Sequence, residues 1–128
     1  MEYQELTEKI IGCAFDVYNT MGYGYLESVY EKSLLIELRN VGFVVESQVP
    51  LPVEYKGSVV GNFIADIIVN DEIILELKSI TNIAKIHEVQ LVNYLVATGK
   101  PLGLLINFGS KKVEVKRRDL AYLKKMTS

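Results

Sequence analysis

Cysteine and histidine, the side chains that bind zinc and other soft metals, are nearly absent from this chain. Its 128 residues include one cysteine, Cys13, and one histidine, His87. A single cysteine excludes an intramolecular disulfide, and one cysteine with one histidine cannot form an ordinary structural zinc site. Any bound metal ion must therefore be held by oxygen donors.

Long hydrophobic runs are also missing. No apolar run approaches the roughly 20 residues that span a membrane. The first residues, "MEYQELTEK", are acidic and polar where a signal peptide would be basic and then apolar. With 49% hydrophobic and 23% charged residues, we expect one globular domain over residues 1–128, located in the cytoplasm and without membrane contact.

Positive charge does not exceed negative charge overall, but it is concentrated at one end. The formal net charge is −2, which argues against a simple electrostatic coat for nucleic acid. From Lys111 onward, however, seven Lys or Arg residues face two acidic ones. This region is either a basic patch for phosphate or a solvated hairpin and terminal helix.

Helical spacing of apolar residues predicts three main helices. They cover about 5–20, 26–41 and 84–98, and glycines follow each of them. In the third, "AKIHEVQLVNYLVAT", apolar residues surround most of the axis, so we expect it to be largely buried. A short last helix is predicted from Asp119.

Between the second and third helices the hydrophobic period changes to that of strands. Three runs, "FVVESQVPLPVEY", "SVVGNFIADIIV" and "EIILELKS", predict a meander with turns at Lys56-Gly57 and Asn70-Asp71. Pro50 and Pro52 place the first strand at an edge or a bulge. "LGLLINF" and "KVEVKR" add two strands. The order ααβββαββα predicts a three-layer αβα fold, with a mixed sheet of about five strands and helices on both faces.

Three charged residues interrupt the apolar strands: Asp66, Glu76 and Lys78. Ionised groups taken out of water cost several kcal/mol each unless they are paired or bind something. Strand alternation puts Glu76 and Lys78 on one face, and Asp66 on a face with Ile64 and Ile68. Asp66 lies directly across from Glu76 only if the turn has three residues or a bulge intervenes, so we predict an irregular turn or a bulge.

Together, these residues suggest chemistry on phosphate esters. Two carboxylates a few Å apart form a hard-oxygen site for Mg²⁺ or Mn²⁺, and a lysine two residues further on can orient or deprotonate water, or neutralise charge on a phosphate. The plain alternative is a solvated strand, where an acidic residue followed by lysine is ordinary.

Two helical groups add to this pattern. Glu27 and Tyr30 lie three residues apart at the start of the second helix, and His87, Gln90 and Tyr94 follow one stripe of the third. Each has a structural alternative. Glu27 can complement the helix dipole, Tyr30 is expected in the core, and His87 is expected at the helix surface or in a hydrogen bond.

Two tyrosines flank Gly24 in the loop between the first two helices. Exposed rings of Tyr23 and Tyr25 can stack on nucleic acid bases. Their alternative is aromatic packing over the loop. Cys13, among apolar neighbours on the first helix, is expected to be inert core.

Taken together, these motifs resemble those of the PD-(D/E)XK nuclease superfamily, closest to its RecB-like branch. The matching positions are Asp66, Glu76-x-Lys78 and Gln90-x-x-x-Tyr94, preceded by the helical Glu27. The run from Gly24 through Glu27 to Tyr30 also resembles the GxxExxY family, which is named after that motif. The resemblance implies a metal-dependent nuclease that hydrolyses phosphodiester bonds of DNA or RNA with Mg²⁺ or Mn²⁺.

The resemblance assigns roles to the residues of the strands. It implies that Asp66 and Glu76 ligate the metal, that the Leu77 carbonyl joins them, and that Lys78 serves the attacking water. Ala65 stands where the superfamily's name has a proline. The missing proline changes little, because it is not a ligand.

The helical residues receive supporting roles from the same resemblance. Glu27 would be an additional ligand or position a metal-bound water, while Gln90 and Tyr94 would hold the nucleic acid backbone or buttress the ligands. The alternative function is a catalytically inactive module of the same fold that binds nucleic acid or a protein partner. A homodimer, or a purely structural oligomer, is also compatible with the sequence.

Overall fold

The elements occur in the order predicted from the sequence. The structure, a computed structural model, describes residues 3–120. Its elements are α1 (Gln4–Met21), α2 (Glu27–Asn40), β1 (Val45–Tyr55), β2 (Ser58–Val69), β3 (Ile73–Lys78), α3 (Lys85–Thr98), β4 (Leu102–Asn107) and β5 (Glu114–Asp119). Asp119 belongs to β5, Leu120 is helical, and residues 121–128, which hold the rest of the predicted last helix, lie outside the described residues.

The strands form one mixed sheet in the order β1-β2-β3-β4-β5. Neighbours are antiparallel except β3 and β4, which run parallel and are joined by the crossover helix α3. The predicted five-stranded mixed sheet is therefore confirmed. β1, which carries Pro50 and Pro52, is an edge strand, as the missing proline N–H groups require.

Helices cover both faces of the sheet and create two separate cores. On one face, Ile10 of α1 and Leu34 of α2 pack with strand residues such as Leu75. On the other face, Leu91 of α3 packs with residues such as Ile74. The three-layer arrangement is confirmed. Among the described residues, no helix has the length and apolarity needed to cross a membrane.

The prediction that α3 is largely buried is wrong. Leu91 and Leu95 are its buried residues, whereas Ile86, Val89 and Val96 are 58%, 42% and 57% exposed. Within residues 3–120, α3 is the one helix on its face of the sheet. A lone helix buries one stripe against a sheet, whatever the composition of its other faces.

The turn between β2 and β3 has the irregularity that the sequence predicts. Val69 pairs with Ile73, so the loop contains the three residues 70–72. Asn70 and Asp71 both adopt left-handed conformations, with φ of 53° and 58°, which Asn and Asp tolerate better than other side chains. This loop length sets the register in which Asp66 and Glu76 lie at the same level.

Side-chain alternation along β2 reverses at Asp66. Phe63 and Ala65 belong to the α3-side core, but Ile67 belongs to the core under α1 and α2. The expectation that Asp66 shares a face with Ile64 and Ile68 is therefore wrong. The reversal occurs where the pairing of β2 with β3 ends.

β2 separates from β3 immediately after this reversal. Their last recorded pair is Ile67 with Leu75, while β2 continues to pair with β1 as far as Ser58. We call the gap that opens between the two strands the β2–β3 fork. Asp66 and Glu76 are the first residues on either side of the fork.

Candidate active site

Two carboxylates replace the missing strand pairing inside the β2–β3 fork. Asp66 Oδ2 accepts a hydrogen bond from the Leu77 amide at 2.8 Å. Glu76 Oε1 accepts one from the Asp66 amide at 3.4 Å. Each acid is thus held against the backbone of the opposite strand, and both carboxylates occupy one small volume.

The pKa values of both carboxyl groups are raised, so the ionised forms are disfavoured. Burial, reinforced by the Asp66 charge, raises the pKa of Glu76 to about 8. Burial also raises the pKa of Asp66, although the Leu77 amide, Gln48 and Lys78 oppose the shift. Because both shifts favour the protonated form, a cation placed in the fork would lower the free-energy cost of ionising the two carboxyl groups.

Lys78 supplies positive charge at the same end of β3. Its ammonium group opposes the upward pKa shifts of Asp66, Glu76 and Glu27, as a cation near all three carboxyls does. The preceding Leu77 side chain is buried in the core on the α1 and α2 face. Its amide points into the fork, where it binds Asp66.

The start of α2 brings two more carboxylates toward the fork. Partial burial and then the Asp66 charge raise the pKa of Glu27, the first residue of α2. Burial also raises the pKa of Glu31, with Asp66 adding to the shift and a hydrogen bond from Gln48 opposing it. Sequence reasoning missed Glu31, although its place four residues after Glu27 puts it on the same helix face.

Gln48 of β1 links these acids and was also missed. Its Nε2 donates to Glu31 Oε1 at 2.7 Å and to Asp66 Oδ1 at 3.5 Å. Gln48 has a left-handed φ of 52°, which aims its side chain away from the regular pleat. No sequence signal places it here, because a register shift after Val53 decides which residue of β1 lies opposite Asp66.

Of the two α3 residues predicted for the site, Tyr94 reaches it and Gln90 stays outside. The Tyr94 ring stacks on Phe63, with centroids 3.6 Å apart. Burial and the nearby Glu76 charge raise its pKa. Gln90 is exposed, and no hydrogen bond of its side chain to the rest of residues 3–120 is recorded.

His87 and Tyr30 serve the structure, as expected from the sequence. His87 Nδ1 accepts the Ala84 amide at 3.0 Å and caps the start of α3. Tyr30 is fully buried and stacks on Phe108, with centroids 4.6 Å apart. Its hydroxyl donates to Gly22 O at 2.6 Å, which fixes the loop before α2.

The basic residues near the C-terminus are divided rather than gathered. Arg118 forms an ion pair with Glu88 of α3. Arg117 points to the opposite face and donates to Thr7 Oγ1 of α1 at 3.2 Å. Residues 124–125 lie outside the described range. Within the described range, therefore, β5 does not present one basic face.

The donor set of the fork fits magnesium or manganese. Within the described residues, no three His, Cys, Asp or Glu side chains are grouped closely enough to hold a metal alone. Mg²⁺ commonly uses one or two protein carboxylates and fills its other positions with water and substrate phosphate oxygens. Asp66 and Glu76, with their hard oxygens and raised pKa values, match that requirement.

Comparison with solved structures supports the fold. A structure titled "Crystal structure of SSO0001" matches with a TM-score of 0.57 and 18% identity. The match covers 91% of this chain and 59% of that one, so this chain spans under two thirds of that protein. No curated protein is significantly similar.

Sequence comparison establishes the family. The family model described as the PD-(D/E)XK nuclease superfamily matches residues 4–118, which include both carboxylates of the fork, Lys78 and α3. The RecB-like branch and the GxxExxY family stay predictions. Since the match extends over most of the chain, this protein belongs to the PD-(D/E)XK nuclease superfamily.

Proposed function

We propose that this protein is a metal-dependent nuclease that hydrolyses phosphodiester bonds of DNA or RNA at the β2–β3 fork. The observation that carries the proposal is the convergence of the Asp66 and Glu76 carboxylates beside Lys78 in a partly buried position. Acids whose pKa values are raised destabilise the fold when they are ionised. A divalent cation bound between them would offset that free-energy cost.

We assign the residues the roles that the resemblance to the superfamily implies. Asp66 and Glu76, with the Leu77 carbonyl, would hold Mg²⁺ or Mn²⁺, which supplies Lewis acidity toward a phosphate oxygen and acidifies bound water. Lys78 orients the attacking water and offsets the charge that grows on the phosphate. Glu27 accepts a hydrogen bond from a water at the open side of the fork.

Tyr94 and Gln90 support the site from α3, Tyr94 beside Glu76 and Gln90 from the exposed surface outside the fork. Tyr94, held by Phe63, buttresses Glu76 from that side. Gln90 is exposed one turn earlier and is free to contact the nucleic acid backbone. Access to cellular nucleic acid is consistent with a cytoplasmic location, which is part of the proposal.

A cleavage assay tests this function. The wild type is incubated with single-stranded and double-stranded DNA and RNA in Mg²⁺, in Mn²⁺ and in EDTA. We expect metal-dependent cleavage that Asp66→Asn and Lys78→Ala abolish, with Lys78→Ala still binding metal. The matched controls are Asp71→Asn and Lys85→Ala, each of which removes the same charge as the variant it matches, but from an exposed position. Both should cut like the wild type. Equal rates for Asp66→Asn and the wild type would refute the proposal.

An exposed apolar surface favours a second candidate, the inactive binding module. Beyond the fork, the β1–β2 hairpin exposes Tyr55, Val59, Val60 and Ile64 at 62%, 57%, 64% and 54%. Such a surface suits a protein partner or a homodimer. Light scattering of the wild type and Val60→Lys distinguishes the cases. A dimer that Val60→Lys dissociates, in a protein without cleavage, would favour the module.

A further inference from the structure

A cavity of about 570 Å³ opens at the carboxyl ends of β3 and β4, between the loops that follow these two strands. Its volume is within the range of about 300–1,000 Å³ typical of small-molecule sites. Three loops form its walls: the loop before α2, the loop after β3 and the loop after β4. The residues that matter for its chemistry are Tyr23, Asn82, Ser110, Lys111 and Lys112.

The buried side chain of Asn107 holds two of these walls in place. Its Oδ1 accepts the amides of Ile80 and Gly109 at 3.0 and 2.9 Å. Its Nδ2 donates to Ile80 O and to Glu114 Oε1, both at 2.8 Å. One amide group therefore connects the loop after β3 to the loop after β4, and the cavity is formed before any ligand arrives.

The same loops connect the cavity to the fork. Ser79, the residue after Lys78, donates from Oγ to Tyr25 O at 2.9 Å, which fixes the wall that carries Tyr23. The Phe108 amide donates to Lys78 O at 2.8 Å. The first cavity-lining residue after β3, Thr81, therefore follows the proposed catalytic lysine by three residues.

The lining combines an aromatic ring with two cations. Tyr23 is 64% exposed, and Lys111 and Lys112 are exposed on the opposite loop. Glu114 is the acid in the wall, but its Oε1 accepts hydrogen bonds from Asn107 and from the Ile83 amide. A flat ring beside two ammonium groups matches an unpaired base joined to its phosphate.

We propose that this cavity binds an unpaired nucleotide next to the scissile phosphate. The base stacks on Tyr23, and its phosphate faces Lys111 and Lys112. The position relative to the scissile bond rests on the proposed function, whereas nucleotide binding by the cavity does not. Stacking on Tyr23 requires a base face that is not already stacked inside a duplex, so the protein prefers single strands or unpaired ends.

A single introduced tryptophan tests the stacking directly. The chain has no tryptophan, so Tyr23→Trp carries one fluorophore at the cavity. Tyr55→Trp is the matched control, because Tyr55 is 62% exposed on the distant hairpin. In EDTA, short single-stranded DNA and RNA oligomers should quench Tyr23→Trp and leave Tyr55→Trp unchanged, and duplexes should quench Tyr23→Trp more weakly. Comparing the DNA and RNA arms identifies the sugar that is preferred.

Further substitutions separate this inference from the proposed function. Replacing both Lys111 and Lys112 by Ala should weaken the quenching, whereas Lys85→Ala should not. If the protein cleaves, Tyr23→Ala should raise KM for single strands about 5- to 150-fold, as expected for loss of one base stack, with kcat nearly unchanged. Quenching without cleavage would refute only the nuclease. Cleavage with no quenching and an unchanged KM in Tyr23→Ala would refute only the subsite.

Discussion

The Asp66 carboxylate accepts a hydrogen bond from the backbone amide of Leu77 at 2.8 Å, in the position that a neighbouring strand would otherwise fill. The carboxylate is therefore both a strand partner and a proposed metal ligand. These two roles respond differently to substitution. Asparagine keeps an oxygen acceptor without the charge, whereas alanine removes both.

The first prediction uses this difference. In the absence of metal, Asp66→Asn should melt at or above the wild type, because it relieves repulsion with Glu76 and keeps an acceptor for Leu77. Asp66→Ala should lose about 2 kcal/mol, since the Leu77 amide loses its partner. Thermal melts in EDTA measure both changes.

Metal should stabilise the wild type but not these variants. At Mn²⁺ concentrations about 100 times Kd, binding stabilises the wild type by about 2.7 kcal/mol. Neither Asp66 variant should show this gain. A wild type that does not respond to Mn²⁺, together with a strongly destabilised Asp66→Asn, would make Asp66 a structural residue only.

The second prediction concerns pH. Glu76 has a folded-state pKa of about 8 against an ordinary value of 4.5, so the folded state binds more protons between these values. Its contribution to stability is complete below pH 4.5 and is lost as pH rises through about 8. Metal-free protein should therefore melt at lower temperature as pH rises across this window, and Glu76→Gln should flatten the decrease. A wild-type melting temperature that is constant across the window would contradict the prediction.

The third prediction concerns protons released by metal. Since a ligand carboxylate must be ionised, Mn²⁺ binding below pH 8 should release about one proton. Calorimetry in buffers of different ionisation enthalpy measures this number. In Glu76→Gln, which has no proton to release at this position, the number should fall toward zero. An unchanged number would assign the proton to another group.

The fourth prediction tests the Gln48 bridge. Gln48→Asn keeps a residue that tolerates the left-handed φ but shortens the reach to Glu31 and Asp66. We expect a loss of about 1 kcal/mol from the broken hydrogen bonds. Glu31→Gln should restore most of it by removing the charge that faces Asp66. A double-mutant cycle with no coupling would show that the bridge contributes nothing.

The fifth prediction tests the tight contact under the cavity. A Cβ at Gly109 would lie 2.2 Å from the Ile80 backbone nitrogen, so Gly109→Ala should cost about 2 kcal/mol as the two loops separate. Gly61→Ala is the control, because nothing lies within 4 Å of the added carbon. Denaturant titration of both variants should show a difference, and equal stabilities would mean that the loops yield freely.

Local patterns in the sequence predicted most of the fold. Period changes located all eight described elements, because burial against a sheet selects apolar residues at the period of each element. Parity arguments predicted that an irregular turn or a bulge brings Asp66 opposite Glu76, and the structure has the first of these, a three-residue loop after Val69. Both depend only on neighbouring strands.

Features set by distant partners were not predictable. The exposure of Ile86 and Val96 depends on which layers cover α3, and periodicity does not report that. Gln48 reaches Asp66 through a left-handed backbone conformation, which a sequence usually signals by glycine and here does not. The cavity beside Tyr23 has walls that Asn107 holds in place, and in the sequence Asn107 looks like any polar residue at a strand end.

The separation of β2 from β3 also has a consequence for how this protein can diversify. Beyond the fork, the β1–β2 hairpin pairs with itself as far as Tyr55 and Ser58, while β3, β4 and β5 keep their own ladder. Changes in the length or sequence of the hairpin's tip therefore leave the ladder of β3, β4 and β5 intact, whereas Phe63 nearer the fork is fixed by packing in the α3-side core. Because both carboxylates lie at the branch point, the tip can vary in evolution while the geometry of the carboxylate pair is kept.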